Sequence, residues 1–118
     1  MSKAARTLKL YSYVMFIFGV LLVARPEMIA PGESGATLGI VRSLGAMLIV
    51  LAYYYRVAAT NELTAFFHAS VVGRLGLAGF QAFAVQRGWL NKSSLGGAAL
   101  DFLSALWTYS ALRADARR

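Results

Sequence analysis

The sequence predicts an all-α protein, a four-helix bundle integral to a membrane, and three observations carry that expectation. Of 118 residues, 58% are apolar and only 14% charged, and the mean hydropathy is +0.58. Soluble domains average roughly 45–50% apolar and about 25% charged residues. A small domain with so few charges cannot cover its surface without leaving large apolar patches. The apolar residues also gather into four runs, at 8–24, 38–55, 63–85 and 95–112. Each holds 17–23 residues, against about 20 needed to cross the hydrocarbon at 1.5 Å per residue. Finally, the basic residues cluster outside those runs.

The same composition excludes an ordinary soluble enzyme, a disordered chain and a nucleic-acid-binding module. The net charge of +7 comes largely from Lys3, Arg6 and Lys9 at one end and Arg113, Arg117 and Arg118 at the other. That placement suits a membrane topology rather than a nucleic-acid partner. The absence of cysteine removes disulfides, thiolate metal sites, Cys nucleophiles and iron–sulfur clusters. Length allows a single domain, residues 1–118.

The first span closes at Arg25-Pro26, because proline biases the preceding residue away from helix and cannot continue the ladder. A signal peptide shares the basic start and apolar core. Ala24-Arg25-Pro26-Glu27-Met28 offers no small-x-small cleavage site, so the segment reads as a mature helix. Pro31-Gly32 and Gly35 punctuate the first loop. The second span ends in Tyr53-Tyr54-Tyr55-Arg56, residues suited to a membrane–water interface. A hinge at Thr60-Asn61-Glu62 leads into the third span, which ends at Gln86-Arg87-Gly88-Trp89. Asn91-Lys92-Ser93-Ser94 precedes the fourth. An alternative has three spans, with one weak segment lying in the interface.

Four spans place both termini on one side. The tails and the hinge carry seven Lys/Arg (Lys3, Arg6, Lys9, Arg56, Arg113, Arg117, Arg118), against three in the opposite loops (Arg25, Arg87, Lys92). Cytoplasmic N and C termini follow, in a membrane expected to be the bacterial inner one. Short connections predict that sequential helices pack as antiparallel neighbours, an up-down-up-down bundle.

Charge within a span costs about 2.5–3.5 kcal/mol per residue at a helix centre on insertion scales, which singles out Arg42, Arg74 and Asp101. The spacing sets Arg42 and Asp101 at a shared level, with Arg74 near mid-span and reaching toward them. The functional reading is a polar pocket with Asp101 held by one or both arginines; the alternative is a structural ion pair, with Arg42 snorkelling to the interface. Ser70, Arg74 and Gln81 fall on one face of the third span, and Asp101, Ser104, Ala105 and Thr108 on one face of the fourth, so the two faces are expected to meet. Gly73, Gly76, Gly79, Gly96, Gly97 and Ala98 suggest close packing within the chain or a homodimer face. His68, the single histidine, is expected as an interfacial group near Glu62 or Tyr54 rather than a haem or metal ligand. Asn61 and Glu62 read as capping residues for the third helix. Trp107 and Trp89 read as aromatic-belt residues or, with Phe66, Phe67, Phe80 and Phe83, as the lining of a lipophilic cavity. No metal and no cofactor is expected.

The stretch from Arg42 to Leu112 resembles the small four-helix membrane family that includes the ergosterol-biosynthesis scaffold protein. The likeness rests on Arg42-x-x-Gly45, the Asn61-led hinge, Phe67-His68 and the basic C-terminal tail. Uncharacterised bacterial four-helix proteins are similar in the Arg-x-x-Gly opening and the tyrosine-rich end of the second span. The resemblance implies a scaffold or accessory for membrane enzymes acting on lipophilic substrates, and assigns no role to Arg74 or Asp101. The residues themselves leave open a lipophile-binding protein or isomerase-like enzyme using Arg42, Arg74 and Asp101, and, as a weaker class, a small transporter. The partners that follow are membrane lipids, another membrane protein or a second copy of the chain.

Overall fold

A computed structural model describes residues 1–90, 92 and 94–117. Among these are four α-helices, α1 (Lys3–Ala24), α2 (Gly35–Thr60), α3 (Thr64–Gln86) and α4 (Ser94–Ala116), with a 3₁₀ turn at Pro26–Met28 and no strand. Local chemistry sets the boundaries. Ser2 caps α1 by accepting a bond from the Ala5 N–H, and Ser34 does the same for α2 through Thr37. Pro26 ends α1 at Arg25, whose N–H still reaches the Leu21 carbonyl. Asn61 closes α2, both its backbone N–H and its side-chain amide donating to the Val57 carbonyl. Glu62 then turns the chain with a left-handed φ of 51°, unusual for a residue other than glycine. The helices overrun the apolar spans because lysine and arginine are good helix formers. Thus α1 begins at Lys3 and α2 extends to Thr60.

α1 and α2 are long and apolar enough to cross a membrane. α3 and α4, at 23 residues each, match them in length by the helical rise. His68, Arg74 and Gln81 in α3, and Asp101 with its neighbouring serines in α4, lower their apolarity.

Ser2 bonds to Glu62, and the Lys3 and Ala4 amides bond to Asp115. The N terminus, the α2–α3 hinge and the end of α4 therefore converge, and the helices alternate in direction. Their neighbour relations depart from expectation. α1 packs along α2 and α4, and α3 packs along α4, but α2 and α3 meet sparsely and α2 does not reach α4. The spatial order is α2–α1–α4–α3, within extents of 52 × 29 × 17 Å.

Among the glycines, the close approach is made by a pair other than those the sequence suggested. A Cβ on Gly19 would lie 2.7 Å from the Gly45 carbonyl oxygen, and one on Gly45 2.7 Å from that of Gly19. Gly73, Gly76, Gly79, Gly96 and Gly97 face open space instead. The intimate seam therefore joins α1 to α2, and the glycines of α3 leave a gap beside it.

Small residues and a few larger ones, including Ala5, Leu8, Ala59, Phe67, Ala105 and Leu112, form the core at the end where the termini meet. Polar side chains share the interior: Thr7, Ser12, Ser70, Arg74, Asp101, Ser104 and Thr108 are buried as well. Large apolar side chains such as Phe16, Ile17, Ile40, Met47, Val72 and Leu103 point outward.

Candidate functional site

Ser70 and Arg74 stand one turn apart on α3, and Thr108 faces them from α4. Arg74 is only 3% exposed. Its Nε–H donates to the Ser70 carbonyl at 3.3 Å, and its Nη2 group donates to Ser70 Oγ at 3.2 Å and Thr108 Oγ1 at 2.9 Å. Each hydroxyl passes the bonding on. Ser70 donates to the Phe67 carbonyl, while Thr108 and Thr7 share a 2.8 Å bond and Thr7 donates to the Ala4 carbonyl. With the Thr7 proton on Ala4, Thr108 is the donor to Thr7. A continuous chain of bonds thus links α3, α4 and α1 through one guanidinium.

Tyr11 of α1 touches both charged residues. The Arg74 guanidinium carbon lies 4.7 Å from the centre of its ring, a cation–π distance. Its hydroxyl donates to Asp101 Oδ1 at 2.6 Å. Tyr11 continues the aromatic contacts to Tyr55 (5.6 Å between ring centres), and Tyr55 meets Phe66 edge-on at 5.1 Å. Among the described residues Asp101 makes no direct ion pair with an arginine; the one pair there is Arg25–Glu27, on the surface.

These groups line a cleft of about 330 Å³ between the four helices, at the small end of the range in which ligand pockets fall. Tyr11, Tyr55, Arg74, Gln81 and Asp101 supply its polar wall; Val14, Met15, Phe18, Leu48, Leu51, Leu77 and Leu100 supply the apolar remainder. Gly73 and Gly97 lie at its edge, adding no side chain. Two buried polar atoms there have no hydrogen-bond partner: Arg74 Nη1 and Gln81 Oε1. Such atoms cost free energy when left unmatched, and they mark a place where a partner is missing.

The structure brings Arg74, Gln81 and Asp101 together and leaves Arg42 out. Arg42 is exposed near Glu27, whose carboxyl is held below its ordinary pKa by its own backbone N–H first, then by Arg25 and Arg42. The shared level that spacing gives Arg42 and Asp101 does not become contact, because α2 lies across α1 from α4. The expected capping role of Glu62 is also corrected. Its carboxylate accepts the Ser2 amide and hydroxyl, both at 2.7 Å, and so caps α1 rather than α3, which begins without a side-chain cap.

His68 is exposed beside Glu62, Asp115 and Tyr109 in a second hollow of about 360 Å³, and makes none of the side-chain hydrogen bonds found among the described residues. Tyr54 points outward against Tyr53, and Trp107 lies half-exposed on the outer α1–α4 wall. Asn91, Ser93 and Arg118 fall outside the described residues. Sequence reasoning missed Tyr11, and placed Tyr55 only in an aromatic belt. The available signal was Thr7 and Tyr11, polar and one turn apart where the basic start of α1 gives way to its apolar run. Compared with protein-family models, curated proteins and solved structures, the chain matches none.

Proposed function

We propose that this chain is an integral membrane protein with both termini cytoplasmic, which holds a lipophilic molecule in the cleft between α2 and α3. It would serve membrane lipid or lipophile metabolism as a binding or accessory protein. The membrane setting is supported by the outward apolar surface: only 28% and 11% of the most apolar stretches of α1 and α2 are buried within the chain. Helices forming the core of a soluble protein would be covered by their own neighbours. Arg25, Arg87 and Lys92 at one end, against Lys3, Arg6, Arg56, Arg113 and Arg117 at the other, support the orientation.

One observation carries the ligand reading: Arg74, which lines a largely apolar cleft, has a buried guanidinium nitrogen with no hydrogen-bond partner. Intramembrane charge of this kind ordinarily pairs within the protein or marks a functional site. The arrangement supports binding rather than turnover. The carboxylate nearest the site is already bonded to Tyr11, and among the described residues no second acid or histidine lines the cleft.

The test is native mass spectrometry of the protein purified from its own membrane in mild detergent, beside the Gly73→Leu variant. Gly73 lines the cleft and has nothing within 4 Å of a Cβ position, so a leucine there has room to start and takes up space in the cleft. A lipophilic small molecule bound to the wild type and lost from the variant is the expected result. Wild-type protein carrying only bulk phospholipid, in the same amount as the variant, would refute the reading.

A further inference from the structure

Building on that reading, we propose that the polar group of the ligand is an uncharged carbonyl oxygen, as in a ketone, ester or quinone, received by Arg74 Nη1. The argument begins with a count of donors. A guanidinium has five N–H groups. In Arg74 the Nε–H goes to the Ser70 carbonyl, and Nη2 supplies Ser70 Oγ and Thr108 Oγ1. The two N–H groups on Nη1 have no partner and are covered, so a turn of the guanidinium toward the cleft is what presents them to a ligand. Their chemistry asks for an acceptor. An alkane offers none, and a primary amine would bring a second cation to the arginine.

Charge selects among acceptors. Arg74 and Asp101 are the two formally charged residues lining the cleft, and Tyr11 joins them through its ring and its hydroxyl. The guanidinium already has a balancing carboxylate close by. A ligand carboxylate or phosphate would put a second negative charge on one arginine in a medium that screens poorly. A carbonyl oxygen satisfies Nη1 and keeps the charge of the site balanced; it offers no proton to Gln81 Oε1, which stays without a partner. Access is lateral: α2 and α3 meet near the hinge, at Tyr55 and Phe66, while beyond it Gly73 and Gly76 face open space. An apolar tail can lie between them against Leu48, Leu51 and Leu77.

The protein in nanodiscs of zwitterionic lipid is titrated with tritiated 2-heptadecanone, heptadecane and palmitate by scintillation proximity, under mildly alkaline conditions that keep palmitate ionised. The expected result is saturable binding of the ketone about tenfold tighter than of either other probe, abolished by Gly73→Leu. Asp101→Asn, which removes the balancing charge with little change of shape, should raise palmitate binding several-fold relative to the ketone. Saturable, Gly73-sensitive binding with palmitate or heptadecane equal to the ketone would overturn the carbonyl assignment and leave the lipophile reading standing. No saturable, Gly73-sensitive binding of any probe would overturn both. The wild-type ratios decide the matter even if the Asp101 variant does not fold.

Discussion

Thr108 is fully buried and joins three helices through one hydroxyl, accepting from Arg74 on α3 and sharing a bond with Thr7 on α1. Valine at this position keeps the shape and removes both bonds, leaving a second Arg74 nitrogen short of a partner. Interhelical hydrogen bonds in membranes average about 0.6 kcal/mol, but a buried donor stripped of its acceptor costs about 1–3 kcal/mol. Thr108→Val should therefore lower stability by about 1–3 kcal/mol and Thr108→Ser by much less, read as unfolding midpoints in detergent. Glu62 offers a residue-level test of pH. The Ser2 amide, and then its hydroxyl, hold this carboxyl below its ordinary pKa. The stabilisation is thus complete above the ordinary glutamate value and is lost as pH falls through the depressed one. Protection of the Ser2 amide, its exchange rate measured against that of the unfolded chain at the same pH, should fall across that acidic window in the wild type. In Glu62→Ala it should already be low at neutral pH and show no such step.

Between elements, the seam of α1 and α2 depends on two glycines whose backbones touch. A side chain on either meets a carbonyl oxygen at 2.7 Å, and a backbone atom cannot move aside as the end of a flexible side chain can. Gly45→Leu should cost at least about 1–3 kcal/mol, as overpacking does. Gly76→Leu, in open space on α3, should be neutral or gain up to about 1 kcal/mol in helix propensity. Thermal melts of the two variants in one detergent check the contrast. The same seam shows what the sequence could and could not disclose. Apolar runs bounded by Pro26 and by the Asn61 hinge announce the four helices, because helix ends are set by local chemistry. The polar stripe on α3 likewise anticipates that Arg74 faces Thr108. Spacing fixes depth along a helix but not which helices become neighbours, so it could not separate Arg42 from Asp101. It also could not distinguish the packed glycines, Gly19 and Gly45, from the open ones at 73, 76 and 79. Tyr11 escaped for a related reason: near a basic end, tyrosine is also what an interface selects, and only the position of α4 shows that its hydroxyl meets Asp101.

For the whole molecule, the proposed membrane setting predicts four crossings. α1 and α2 are apolar enough by themselves; α3 and α4 carry Arg74 and Asp101. Those two are turned inward, 3% and 8% exposed, while Val72, Phe80, Phe83, Leu103 and Leu106 face outward. Averaging along a helix counts the inward polar groups against it, although lipid would meet only the outward face. The bonds from Ser2, Lys3 and Ala4 to Glu62 and Asp115 also hold both helix pairs in one register, so α3 and α4 run alongside α1 and α2 from a common end. The absence of native cysteine permits a clean test with single cysteines and a membrane-impermeant maleimide. With four crossings, Glu33→Cys and Arg87→Cys label in intact cells, and Arg117→Cys labels only after permeabilisation. If α1 and α2 alone crossed, Arg87→Cys would be protected together with Arg117→Cys while Glu33→Cys still labelled. The cleft would then lack the lipid on both sides that its lateral opening requires.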